Sequence, residues 1–198
     1  MELELRLLKV LLLAKDQFYL WEFILVHQQG SLIEQQVKYL ELLLEANKNI
    51  NLTGITQPKE AVIKHTLDSL SASKAIEGSK IIDIGSGGGT PGIPLAIANP
   101  DKHFYLIDSV LKKTNFLNEV TKALGLKNTT VICQRGERIN NISADTVVSR
   151  AFGSLNYLID ASKKMVSNLF ADPINWHCSW RQLRNIIPKN TTGKGRSI

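Results

Sequence analysis

Two cysteines among 198 residues, Cys133 and Cys178, are too few for a disulfide framework and too far apart for a metal-ligand spacing. Idle thiols in a reducing compartment are the simplest account of them. No unbroken apolar run approaches the roughly 20 residues that a membrane span requires. The greasiest stretch, residues 1–26, is broken by Glu2, Glu4, Arg6, Lys9, Lys15, Asp16 and Glu22, and for the same reason does not read as a signal peptide. There is no internal repeat and no low-complexity block, and none of the six prolines is followed by another. These absences lead to the expectation of a soluble, cytoplasmic protein with no membrane partner, built as one domain with a small appendage.

Positive charge is also scarcer than the total suggests. The net charge of +6 invites a polyanionic partner. From Ala171 to Ile198, however, Arg181, Arg184, Lys189, Lys194 and Arg196 face Asp172 alone, so that stretch holds +4 and the body only +2. Composition by itself is thin support for nucleic-acid binding.

Periodicity is present instead. Residues 1–49 carry a helical repeat, clearest where Leu32, Ile33, Val37, Leu40, Leu43 and Leu44 recur three and four apart in SLIEQQVKYLELLLEANKN. From Lys80 the pattern switches to short apolar strands alternating with helical segments. KIIDIG, HFYLID, TTVICQ and ADTVVSR read as strands; PGIPLAIAN, KKTNFLNEVTKALGL and LNYLIDASKKMV read as helices. Such alternation means βαβ units and a mostly parallel sheet covered on both faces. After about Asn168 it stops, and the composition shifts toward Trp, Asn and basic residues.

The chemistry concentrates in IIDIGSGGGTPGIPLAIANP. Gly85, Gly87 and Gly89 follow Asp83 between a strand and a helix, where bare backbone lets a ligand approach closely. A dinucleotide site must be weighed. Against it, Thr90 stands where the third glycine of that fingerprint belongs, and Asp83 would repel a diphosphate. A cationic ligand without phosphate, S-adenosyl-L-methionine, suits the turn better. Asp108, ending the second strand, then accepts hydrogen bonds from ribose hydroxyls; either aspartate alone also reads as a simple cap. In QRGERI, backbone groups of Gly136 and Glu137 are placed to read a base edge, or form a charged surface turn. Pro91 and Pro94 fall in the first turn of the next helix, where a missing N–H costs little.

These residues resemble the bacterial small-subunit ribosomal RNA guanine-N7 methyltransferase family, also called glucose-inhibited division protein B. The likeness runs through NINLTGIT, IKHTLDSL, IIDIGSGGGTPGIPLAI, FYLIDSVLKKTNFLNEV, QRGERI and VVSRAFGSL, over about Leu32 to Met165. Thr90 departs from the large apolar residue usual before this Pro-Gly.

The resemblance implies a Rossmann-like class I S-adenosylmethionine methyltransferase fold with an N-terminal helical extension. It divides the chain into an extension (1–75), a core (76–168) and an atypical tail (169–198). It implies S-adenosyl-L-methionine as donor, a guanine N7 in the 530 loop of 16S ribosomal RNA as acceptor, and a monomeric protein acting on that RNA or on the small ribosomal subunit. Asp83, Gly85, Gly87, Asp108, Gly136 and Glu137 would line the cofactor pocket. Asn51, His65, Asp68 and Ser69 would shape the mouth, and Lys112, Arg135 and Arg150 would face the cofactor carboxylate or RNA phosphate.

Guanine N7 carries a free lone pair, so no catalytic acid or base is required, only proximity and orientation. The absence of a Pro-Pro motif agrees with that chemistry. Arg150 is a candidate for positioning the guanine through O6, or else bridges the end of its strand. His65 stacks on a base or is a hydrogen-bonded structural histidine. The family's last strands are not found after Asn168. That stretch reads like a shifted reading frame or an alternative ending, and the rival expectation is a chain that binds cofactor or RNA without turnover.

Overall fold

The computed structural model describes residues 30–150, 155–162 and 165. The expectations for Met1–Val26 and for the tail lie outside those residues. Helix α1 (Gly30–Asn47) is followed by one continuous helical arm made of α2 (Pro58–Ala61), a π-helical stretch (Val62–Leu67) and α3 (Asp68–Leu70). Then come β1 (Lys80–Ile84), α4 (Gly92–Ala98), β2 (His103–Asp108), α5 (Leu111–Ala123), β3 (Thr129–Cys133), a 3-10 turn (Gly136–Arg138), β4 (Thr146–Val148) and α6 (Leu155–Ser162).

All strand pairs are parallel, in the order β3-β2-β1-β4. The chain builds outward from β1 through β2 to β3 and then returns to place β4 on the other side of β1. The topological switch therefore falls between β1 and β4, and ligands of open α/β sheets bind at the carboxyl ends of the strands there. A glycine turn after β1 is thus in the position that a ligand uses.

Burial follows the pleat. Ile81 joins one core with Phe104, Leu106 and Val148, covered by α1, α4 and α5. Ile82 and Ile84 point the other way, into a second core with Ile107, Val147, Leu158 and Ala161. Successive residues of a strand face opposite sides, so Asp83 shares the side of Ile81, α1 and α4. Every residue of α4 is buried, which explains why GIPLAIA shows no polar face. Val37, Tyr39, Leu40 and Leu43 of α1 lie in the same core as the sheet, so the helical extension and the sheet share one hydrophobic interior.

The helical arm from Pro58 to Leu70 was not legible as a helix. Its buried face alternates apolar Ala61, Val62 and Leu67 with polar His65, Thr66 and Ser69, which dilutes the apolar repeat. No described helix is long and apolar enough to cross a membrane.

Candidate functional site

Asp83 and Asp108 stand near the carboxyl ends of adjacent strands, and the turn between them has almost no side chains. Gly85, Gly87 and Gly89 adopt φ of 74°, 57° and 97°, which only glycine takes without strain. The turn is tied down through its backbone: Gly85 N–H and Ser86 N–H both donate to Ile107 O, at 2.8 and 2.9 Å. Gly87 N–H donates to Asp108 Oδ2 at 2.9 Å, and Val110 N–H to Asp108 Oδ1 at 2.8 Å. Each oxygen of Asp108 thus holds one backbone donor and keeps lone pairs for a second.

Asp83 is fully buried, and its Oδ2 accepts from Gly92 N–H at 3.0 Å. Its Oδ1 is buried without a hydrogen-bond partner. Burial pushes this carboxyl up to about 7, opposed by the Gly92 N–H. A Cβ on Gly92 would come within 2.6 Å of Asp83 Oδ2 and 2.4 Å of Leu106 Cδ2, so glycine is needed for α4 to begin over the aspartate.

Arg150, just past β4, joins the other wall. Its guanidinium donates through Nη1 to Lys64 O at 2.5 Å and through Nη2 to His65 Nδ1 at 2.7 Å and to Thr90 Oγ1. Asp68 Oδ2 lies 3.7 Å from Nη1. With Nδ1 accepting, His65 carries its proton on Nε2 and donates to Thr53 Oγ1 at 3.0 Å. Burial, with Arg150 and Lys64 nearby, holds the imidazole down at about 4, so it is neutral at pH 7. Ser69 Oγ donates to His65 O. Asn47 Oδ1 accepts from Leu52 N–H and Thr53 N–H at 2.8 and 2.9 Å, curling the chain after α1 against this group.

The structure therefore brings Asp83, Gly85, Gly87 and Asp108 together, and gathers His65, Asp68 and Ser69 around Arg150. His65 is 2% exposed and both ring nitrogens have protein partners, which fits the structural histidine and leaves no free face for a base. Arg150 spends its Nη groups on four protein partners, closer to the strand-end clasp than to a free arm. Asn51 is exposed on the loop after α1. Gly136 is buried and Glu137 half-buried in the turn after β3. Lys112 and Arg135 are exposed at the carboxyl-end rim, after β2 and β3 respectively.

Sequence reasoning missed Tyr39, Asn47 and Thr53, and singled out Thr90 as a departure from two motifs without seeing its bond to Arg150; these four hold the two walls. It also missed Val110 and Leu111, exposed apolar side chains beside Asp108; the apolar pair in DSVLKK was the available signal.

A parallel doubly wound sheet with a glycine turn and two carboxylates at its switch point defines an α/β protein built to hold a small ligand at its strand ends. The family described as rRNA small subunit methyltransferase G matches residues 32–169, and the chain belongs to that family. It is 46% identical over 127 residues to Ribosomal RNA small subunit methyltransferase G of Actinobacillus pleuropneumoniae serotype 5b (strain L20), covering 64% of this chain and 62% of that one. It is 46% identical over 128 residues to the protein of the same name from Vibrio campbellii, covering 64% and 61%. The chain thus matches about 62% of the length of such relatives. Among solved structures it is similar to coclaurine N-methyltransferase, with a TM-score of 0.48 and 18% identity over 66% of this chain and 40% of that one.

Proposed function

We propose that the chain methylates N7 of a guanine in the 530 loop of 16S ribosomal RNA, using S-adenosyl-L-methionine. The observation that carries the proposal is the pair of carboxylates, Asp83 and Asp108, on either side of a bare glycine turn in a chain of this family. The residues present fit such a cofactor. The orphaned Oδ1 of Asp83 suits a cationic ligand, whose charge would favour the ionised carboxylate over the protonated form that burial promotes. Asp108 keeps lone pairs for ribose hydroxyls, and Val110 with Leu111 offers apolar surface for a base.

When bound, S-adenosyl-L-methionine supplies a methyl group activated by its sulfonium. Gly85 and Gly87 admit the ligand against the backbone, and Gly136 and Glu137 stand at the end of β3 where the adenine edge would be read. No side chain has to remove a proton, because the acceptor nitrogen already has a lone pair; the chain contributes proximity and orientation. Arg150 holds the arm bearing His65, Asp68 and Ser69 against the glycine turn, and so shapes the opening that a guanine would enter. Lys112 and Arg135, exposed on the same rim, suit the phosphates of a monomer's RNA partner.

Mass analysis of 16S ribosomal RNA, free or in the small subunit, after incubation with the chain and S-adenosyl-L-methionine tests the proposal. New 7-methylguanosine is expected. Cofactor binding with no methylated product would instead establish binding without turnover.

A further inference from the structure

The segment from Gly85 to Thr90 contains four glycines, so it has little side chain with which to fix itself. Its rigidity must come from neighbours. Helix α1, some fifty residues upstream, supplies much of it. Tyr39 is fully buried and its hydroxyl donates to Gly88 O at 2.9 Å. Gln36 Nε2 donates to Pro94 O at 2.9 Å, in the first turn of α4. The place a Gly88 side chain would take is filled by Leu43, whose Cδ1 is 2.8 Å from the built Cβ, and by Leu52 at 3.5 Å.

Gly88 C=O and Gly89 N–H belong to one planar peptide unit. Gly89 N–H donates to Ser86 O at 2.7 Å. The plane is therefore gripped at both ends, by Tyr39 on one side and by the turn itself on the other. The preceding amide, Gly87 N–H, is held by Asp108. A phenylalanine would fill the same volume, so packing alone gives no reason for the hydroxyl; a buried carbonyl without a partner does.

We propose that Tyr39 is a positioning residue for cofactor binding: through Gly88 its hydroxyl sets the glycine turn in the shape that receives S-adenosyl-L-methionine. The inference rests on the function proposed above. It makes α1 part of the cofactor site rather than an appendage, and it explains why a buried polar group sits on the apolar face of that helix.

Calorimetry of S-adenosyl-L-methionine with the full chain and with Tyr39→Phe tests it, alongside melting curves. The dissociation constant of the folded variant is expected to rise about five- to tenfold, with the kinetic loss falling on KM for the cofactor more than on kcat. A lower melting temperature with an unchanged dissociation constant would mean a purely structural tyrosine and would overturn the inference. If Tyr39→Phe does not fold in buffer by circular dichroism, it and the wild type are compared in a stabilising osmolyte. The same rise of about five- to tenfold supports the inference, and wild-type affinity overturns it. Failure of the unaltered chain to bind S-adenosyl-L-methionine would strike the functional proposal itself, whereas equal binding by wild type and variant strikes only the role of Tyr39.

Discussion

The two walls of the site are built in opposite ways. The glycine turn after β1 is a backbone structure, whose shape comes from positive φ at Gly85, Gly87 and Gly89 and from main-chain donors to Ile107 O and Asp108. The opposite wall is a side-chain structure, in which Arg150 binds Lys64 O, His65, Thr90 and Asp68 while His65 binds Thr53. A wall made of backbone is sensitive to added atoms. A wall made of side chains is sensitive to removed ones.

That contrast yields its largest effect at Gly92. Gly92→Ala forces a Cβ against Asp83 and Leu106 and displaces the N–H that Asp83 accepts. It is expected to cost about 3 kcal/mol, the upper range for overpacking a core, and to abolish cofactor binding; thermal melting and calorimetry check both. A variant with wild-type stability would mean that the turn yields easily.

Arg150→Ala is the converse test. It strands the Lys64 carbonyl and His65, and is expected to cost about 2 kcal/mol, the range for hydrogen bonds to a charged group. Cofactor affinity should fall far less than RNA methylation, measured as product formed at saturating cofactor. Arg150→Lys should rescue little, because one ammonium cannot replace a planar fork with several partners. Equal losses in the two assays would mean that the walls are one unit.

The smallest expected change is in the pH dependence of stability. His65, held at about 4, takes up a proton in the unfolded chain at higher pH than in the folded one. Stability from this group is therefore lost as pH falls from about 6.5 toward about 4. Asp83, held at about 7, keeps its proton in the folded chain after the unfolded carboxyl has lost it. Its contribution runs the other way, falling as pH rises from about 4 to about 7. The two oppose each other, so the wild-type melting temperature should vary little across that window. Asp83→Asn leaves His65 alone and should make the melting temperature climb with pH between 4 and 6.5. A flat profile in that variant would contradict the neutral, buried imidazole.

The same contrast explains what could be read from the sequence. Strands β1 to β4 were legible because short runs of β-branched, aromatic and other apolar residues alternate with helical segments, and the glycine turn because its residues have no other use. Asp83 and Asp108 followed from their places at strand ends. Tyr39 was not legible as a site residue, since a tyrosine at helical spacing among leucines reads as core. The arm from Pro58 to Leu70 was hidden because its buried face carries His65, Thr66 and Ser69, whose partners come from distant parts of the chain. Arg150 could be picked out, yet its partners Thr90 and Lys64 O are fixed by tertiary packing that spacing does not encode.

The central claim is that the turn between Asp83 and Asp108 receives S-adenosyl-L-methionine, and calorimetry on the wild-type chain and on Asp108→Ala tests it most directly. The account predicts binding by the wild type and a loss of about 1.5 to 3 kcal/mol in the variant, the range for hydrogen bonds to a charged group. No binding by a folded wild-type sample, or equal affinity in the two proteins, would contradict it.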